Sequence, residues 1–236
     1  MAGDEVGIVS DLWRFPVKSF GGERLRRAFV GPVGVLGDRR HAVLDPAAGA
    51  ALSARRVSAL LGYSARSGDP DTGDAVVVTT PDGIELAPGD PDLSLDLTSR
   101  LGRPVQMARS PGAVHDCAPL HVVSEASLAA AGSWVDGEID RRRFRANVVV
   151  ELSEPGPFRE AGWPGHRLSL GDAVVLGVVS PTERCAVTTY DPDTLERDTR
   201  VLAGIARDRD NLFGVYAEVV TTGWVAVGDT VRLLAA

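Results

Sequence analysis

Two widely separated segments, Ser169-Leu170-Gly171-Asp172-Ala173-Val174-Val175-Leu176 and Ala226-Val227-Gly228-Asp229-Thr230-Val231-Arg232-Leu233, are built to one plan. Each has an apolar lead, a Gly-Asp turn and a strand with alternating apolar residues. Glycine supplies the bend and the strand beyond it re-enters a wall, so both segments read as corners of one β-barrel. Other stretches agree. Residues 6–17 hold an alternating stretch stopped by Pro16, residues 25–30 give a second strand, and the strand at 41–44 ends on the turn signal Asp45-Pro46. Residues 76–80 and 84–86, joined by Pro81-Asp82-Gly83, read as a hairpin with a tight Asp-Gly turn. The spacing predicts exposed loops over 68–74 and 87–92, and short strand pieces over 93–107 with one helical turn at 97–101.

Helices belong to the second half. Ser124 is placed to cap a helix over 125–133, with Glu125 set favourably against its dipole. A short helix over 136–144 precedes a strand over 147–152. In residues 199–209, Val201, Leu202, Ile205 and Ala206 fall on one helical face. The fold class expected is therefore mainly β with a few helices (α+β), as two tightly joined β-rich parts. Ser110-Pro111-Gly112-Ala113 marks the boundary between parts at 1–109 and 110–236.

A formal net charge of −7 argues against a general nucleic-acid binder. The longest apolar run, residues 174–179, is far too short to cross a bilayer, and the acidic start Met1-Ala2-Gly3-Asp4-Glu5 has no apolar signal region. Two cysteines make no disulfide framework, and a cytoplasmic location without membrane attachment is the expectation. Lys18 is the one lysine among 25 basic residues. Its ammonium is a compact point charge where arginine offers a planar fork, so a site that needs a point charge for phosphate would resist the exchange. A GC-rich coding background explains the arginine excess equally well.

Four segments carry chemistry-bearing groups. Cys185 follows Arg184 at the end of an apolar run and precedes Thr188-Thr189 and Asp191-Pro192. Its thiolate is both a strong nucleophile and a soft metal ligand, and the neighbouring guanidinium favours it; the competing reading is a small buried apolar residue. Phe15-Pro16-Val17-Lys18-Ser19 sets an ammonium and a hydroxyl after a stiff proline, either for a phosphate oxygen or simply at a strand end. Gly37-Asp38-Arg39-Arg40-His41, with Ala54-Arg55-Arg56, brings arginines that converge on an anion or form a solvated edge. Asp140-Arg141-Arg142-Arg143-Phe144-Arg145-Ala146-Asn147 is a basic run of the kind usually solvated, yet Arg145 and Asn147 stand where a strand start can turn them into a pocket. The four histidines form no zinc pattern with the cysteines, and glycine-rich nucleotide fingerprints are absent.

In this order the segments resemble the MOSC family (the molybdenum cofactor sulfurase C-terminal domain) with its N-terminal β-barrel extension, and among its members the amidoxime-reducing components and their bacterial relatives. The resemblance rests on Phe15-Pro16-Val17-Lys18-Ser19, Gly37-Asp38-Arg39, Ala54-Arg55, Asp116 followed by Ser124-Glu125-Ala126-Ser127-Leu128, Phe144-Arg145-Ala146-Asn147, and Arg184-Cys185 with Thr188-Thr189 and Asp191-Pro192. It implies a MOSC-type β-barrel closely joined to a smaller N-terminal β-rich domain, holding a molybdenum cofactor (molybdenum–molybdopterin). Cys185 would be the metal ligand, with Asp116 and Arg184 beside the metal as catalytic groups. Lys18, Ser19, Arg39, Arg55, Cys117, Arg145 and Asn147 would bind the cofactor.

The implied activity is reduction of N-hydroxylated substrates by oxygen-atom removal. Electrons would come from a separate donor protein, such as a flavin reductase or a cytochrome b5-like or ferredoxin-like carrier. A sulfur carrier using a Cys185 persulfide, or a non-catalytic cofactor-binding protein, are the alternatives. Departures from the family pattern fall at Ala146, at Arg40-His41, at Leu195, and at Cys117-Ala118, which replace hydroxyl residues beside Asp116.

Overall fold

The computed structural model describes residues 3–154 and 156–234. Seven strands close into a ring: β1 (Asp4–Arg14), β2 (Leu120–Ser124), β3 (Val148–Leu152), β4 (Arg167–Leu170), β5 (Val174–Glu183), β6 (Leu212–Thr221) and β7 (Thr230–Leu234). Their order around the barrel is β3-β2-β6-β5-β4-β7-β1, and β1 returns to pair with β3. All neighbours are antiparallel except β2 and β3, which run parallel with Val122 opposite Val148.

The interior follows from period-two patterning. Val9 and Leu12, Leu120 and Val122, Val148 and Val150, Leu168 and Leu170, Leu176 and Val178, Val215 and Ala217, and Val231 all pack into one core. The outer faces of β2 and β3 present Val123 and Val149 to a helical layer. Helix α2 (Glu125–Ala131) is capped by the Ser124 hydroxyl accepting from Ser127 N, as its sequence foretells, and α3 (Thr199–Arg209) is capped by Asp198. Val201 and Ile205 of α3 meet Phe144 and Phe213, whose rings stack 4.2 Å apart between centroids.

Both Gly-Asp turns are barrel corners, and they touch. Gly171 has φ +57°, and a Cβ there would lie 2.8 Å from Asp229 Oδ2; Gly171 N also donates to Thr230 O at 2.9 Å. Only glycine fits such a contact in the left-handed region.

A second core, built from Val17, Phe20, Val43, Leu60, Tyr63, Val78, Leu93 and Leu97 with their neighbours, sits under two small sheets from residues 41–109. The hairpin at Val76–Thr79 and Glu85–Leu86 is present, with Val78 opposite Leu86. Here the sequence reading needs correction. The stretch expected as loop, strand pieces and one helical turn at 97–101 is a full helix, α1 (Pro91–Leu101), so the expected turn is its last part. Asp90 is the N-cap, Pro91 lies in its first turn and Gly102 is in the left-handed region at its end. Aspartate, proline and glycine at those positions are the ordinary start and stop signals of a helix. The helix expected over 136–144 is one short 3-10 turn, Arg141–Phe144.

The two parts interlock. β1, at the start of the chain, supplies a wall of the barrel, and the strand Gly223–Ala226 pairs with Arg27–Gly31. Consequently no cut at 109/110 leaves the barrel closed.

Candidate functional site

Where the chain leaves β1 it crosses from one core to the other, and the crossing builds the site. Asp38, only 1% exposed, accepts a hydrogen bond from Phe15 N through Oδ1 (2.7 Å). Phe15 O in turn accepts from Arg39 N, at 2.7 Å. Lys18 N donates to His41 O and the Ser19 hydroxyl accepts from Ala54 N, which pins the segments 15–19, 37–41 and 53–55 together. Lys18 sends Nζ to Asp116 Oδ1 (2.5 Å) and to Val114 O (3.3 Å). Burial pushes the Asp116 carboxyl up, but its hydrogen bond to Lys18 and the charges of Lys18, Arg39 and Arg145 outweigh that, and its pKa falls below the usual range.

From the barrel side, β5 ends in Glu183 and the chain runs through Arg184 and Cys185 into a 3-10 turn, Ala186–Thr189. The paired threonines hold this turn: Thr188 N and Oγ1 both donate to Cys185 O (3.1 and 3.0 Å), and Thr189 Oγ1 donates to Ala186 O. Asn211 brackets Arg184, accepting its N–H and donating Nδ2 to its carbonyl. Cys185 is a free, half-buried thiol. Arg55 reaches it from the other part: its pKa is raised, chiefly by interaction with the Cys185 sulfur.

These elements enclose a cleft of about 290 Å³. Lys18, Ser19, Arg39, Arg55, Asp116, Cys117, Arg145, Arg184 and Cys185 line it. Asn147 stands behind the wall. Its Oδ1 accepts from His121 N and lies 3.5 Å from Arg39 Nη1, while Nδ2 donates to Trp13 O. Fully buried, it orients Arg39 and locks β2 to β1 instead of facing the cleft.

Five cationic side chains face two carboxylates, Asp116 and Glu183, in a chain that is acidic as a whole. Among the described residues Arg55, Arg145 and Arg184 have no salt bridge to a carboxylate, and in the last two a buried nitrogen is also left without a partner. Arg145 lies 4.3 Å from the Phe15 ring centroid and donates Nη1 to Phe20 O, yet its buried Nη2 has no partner among the described residues. Burial, then repulsion from Arg39, pushes its pKa down to about 9. Arg184 donates Nη2 to Phe144 O, and its buried Nε is likewise unpartnered. Burial lowers its pKa too. Arg14 Nη2, Arg40 Nε and Arg209 Nε are also buried without a partner among the described residues, so what sets Arg145 and Arg184 apart is that both line the cleft.

Three of the wall residues, Ser19, Arg39 and Arg145, hold left-handed backbone at φ +71°, +49° and +54°. Each such non-glycine conformation costs about 1–3 kcal/mol and persists only where the surroundings impose it. Sequence gives no cue to this strain.

Among the lining residues it missed are His121 and Tyr216. His121 on β2 is buried, with Nε2 3.2 Å from Phe213 O. Gly214 makes room for it, since a Cβ there would lie 2.3 Å from Nε2. Burial, followed by the charge of Arg184, keeps its pKa well below the usual value. Tyr216 on β6 is the second. A single histidine or tyrosine inside an apolar strand, as in Leu120-His121-Val122 and Val215-Tyr216-Ala217, carries no chemical signature, so neither was legible.

With this geometry in view, comparison is informative. Residues 6–139 match the MOSC N-terminal beta barrel domain and residues 109–232 match the MOSC domain. The chain belongs to the MOSC family. Mitochondrial amidoxime reducing component 2 of Rattus norvegicus is similar, 33% identical over 129 residues, covering 49% of this chain and 37% of the relative. Mitochondrial amidoxime-reducing component 1 of Homo sapiens is 32% identical over 139 residues, covering 52% of this chain and 39% of the relative. The match therefore spans well under half the length of these relatives. The YuaD protein of Bacillus subtilis, at 13% identity, aligns over 98% of this MOSC chain and 97% of its own with a TM-score of 0.54, a likeness of fold. Among the described residues no helix is long and apolar enough to cross a membrane.

Proposed function

We propose that this MOSC protein is a molybdenum-cofactor-dependent reductase of N-hydroxylated compounds. The observation that carries the reading is the pair of buried, unpartnered donors, Arg145 Nη2 and Arg184 Nε, in a cationic cleft that also holds a half-buried thiol. Anionic phosphate and pterin oxygens suit the donors, and a thiolate suits a soft, highly charged metal. The residues fit the group.

In this reading Lys18, Ser19 and Arg39 hold the phosphate end, Arg145 and Arg184 satisfy acceptors further in, and Cys185 is the metal ligand. When bound, the cofactor supplies the two-electron chemistry. The chain supplies the rest. Asp38 and Asn147 fix Arg39, Phe15 stacks under both Arg39 and Arg145, and the Thr188-Thr189 turn fixes the thiol. Asp116, kept ionised beside Lys18, is an acceptor for the N–H groups of an amidoxime or amidine at the mouth of the cleft.

Protein made in a cofactor-competent host is expected to carry molybdenum and pterin in near-stoichiometric amounts and to reduce benzamidoxime with a reduced dye. Cys185→Ser should abolish that turnover, by a factor of at least ~10³ if the thiolate is the metal ligand. Full retained activity would refute the ligand assignment. A protein without cofactor that instead accepts a persulfide on Cys185 would be a sulfur carrier, and bound cofactor without turnover would leave a binding protein.

A further inference from the structure

We infer that Tyr216 is the acid of the proposed reduction, its phenol handing a proton to the substrate nitrogen as the N–O bond breaks. This rests on the reductase reading. Reducing an amidoxime takes two electrons and two protons: the N–O bond is lost, the nitrogen gains a hydrogen, and the oxygen leaves as water. The electrons come from the external reductant. One proton comes from Tyr216 to the nitrogen and the other from solvent to the oxygen, and the phenolate regains its proton from water in the open cleft.

The case is one of elimination across the cleft wall. Asp116 is held as a carboxylate by Lys18 and the arginines, so it accepts hydrogen bonds and brings no proton. His121 is buried and neutral, with Nε2 on the Phe213 carbonyl. Lys18 is committed to Asp116 and the Val114 carbonyl, and Arg39, Arg145 and Arg184 are turned onto Asp38, Phe20 O and Phe144 O, so these cations act as fixed charges and hydrogen-bond donors. Glu183 and Cys117 lie exposed at the rim.

Tyr216 differs from all of these. It sits on β6 directly across from Ser180 of β5, half-buried, and lines the cleft with Cys185, Arg184 and Asp116. Tyr63, on the wall of a different pocket, commits its hydroxyl to Asp96. Among the described residues the Tyr216 hydroxyl has no protein partner and is not sealed from solvent, so it is free for a substrate. Burial pushes its pKa up, against the pull of Arg184, and the phenol keeps its proton at neutral pH. The Arg184 guanidinium then faces the phenolate that donation leaves, and a positioned acid of this sort contributes typically ~10²–10⁴-fold.

The test compares wild-type and Tyr216→Phe holoenzymes with matched molybdenum content, using benzamidoxime and a reduced dye. We expect kcat to fall by about 100-fold or more, while the calorimetric Kd for benzamidoxime changes by less than about fivefold, the share of one neutral hydrogen bond. Added buffer acids such as imidazolium should raise kcat of the variant in proportion to their concentration and leave wild type unaffected. That rescue is not expected of a tyrosine that merely packs. A fully loaded Tyr216→Phe enzyme within about threefold of wild-type kcat overturns the inference. So does a fall in kcat that buffer acids do not rescue, or a loss of turnover in Cys117→Ser with Tyr216→Phe still active. Should loaded wild type fail to turn over benzamidoxime, the reductase reading falls and this inference with it.

Discussion

Arg142 and Arg145 stand in one basic run and meet opposite fates. Arg142 lies on the 3-10 turn and forks onto both Asp140 and Asp193; those hydrogen bonds, Asp193's first, raise its pKa. Its neighbours are paired with carboxylates too, Arg141 with Glu125 and Asp11 and Arg143 with Asp191. Arg145 begins where the turn ends. Its left-handed backbone swings the guanidinium inward over Phe15, where it has a carbonyl but no carboxylate, and its pKa drops to about 9. The lesson is that a basic run is not one object. Backbone conformation sorts it into a neutralised surface ladder and a half-buried cation with no carboxylate partner among the described residues.

The largest expected effect breaks the comparison at its inner end. Arg145→Met removes a buried charge that lacks a counterion but strands the Phe20 carbonyl. Weighing a several-kcal/mol charge burial against an unsatisfied acceptor, the apo variant should be more stable by about 1–2 kcal/mol. That is a melting temperature a few degrees higher for a chain of this size. Cofactor content should fall below about a tenth of wild type, the lower range for a lost charge-assisted contact. Inorganic phosphate, which should raise the melting temperature of wild-type apoprotein by mass action, should do so less in the variant. A variant that melts lower and loads normally would mean that Arg145 is structural.

Lys18→Arg probes the other anchor. A planar fork cannot place three donors where a compact ammonium does, and Lys18 is only 8% exposed, between Asp116 and the Val114 carbonyl. Retention of cofactor should weaken by about tenfold, read as molybdenum lost on dialysis. Unchanged occupancy would sink the point-charge argument.

Much of this was legible in the chain, and the boundary is physical. The barrel was readable because its rules are local: period-two alternation and Gly-Asp corners. Cys185, Lys18, Arg39 and Arg145 were readable because each sits in a short motif. The position of Asn147 was not, since the same element that marks it also turns it behind Arg39. Helix α1 was overlooked for another reason, its apolar residues being few enough that Asp90, Pro91 and Gly102 carried the signal. His121 and Tyr216 reach the cleft only through closure of the barrel, a contact between β2, β5 and β6 that no local pattern encodes.

A pH experiment gives the next effect in size. His121 is held neutral with a pKa well below 6.5, and burial, with Arg charges nearby, also lowers His41 and His115. An unfolded chain takes up protons near pH 6.5 that the folded state refuses. Stability is thus full above that value and falls as pH drops through it, by up to about 1.4 kcal/mol per pH unit for each such group. Urea midpoints measured at pH 7.5 and 5.5 should differ accordingly, and His121→Asn should shrink the difference. A stability unchanged across that window would contradict a neutral, buried His121. The outer ladder makes the opposite statement: the pKa values of Asp191 and Asp193 are lowered, so their pairing is lost only as pH falls below the ordinary aspartate value of 3.8.

Arg142→Ala should do least. Its side chain is 36% exposed and Asp193 is 69% exposed, so solvent screens the pair and exposed pairs are worth about 0–1 kcal/mol. Losing two partners at once, Asp140 and Asp193, places the change near the top of that range. Asp140 also caps the turn by accepting from Arg142 N, a bond to backbone that alanine keeps. The turn therefore survives, and with it the left-handed step that aims Arg145 inward. Molybdenum content and dye-driven turnover should match wild type within about twofold, with the thermal midpoint lowered by no more than a few degrees and the loss fading at high salt. Should Arg142→Ala empty the cleft as Arg145→Met does, the ladder would be holding Arg145 in place, and the two arginines would form one unit after all.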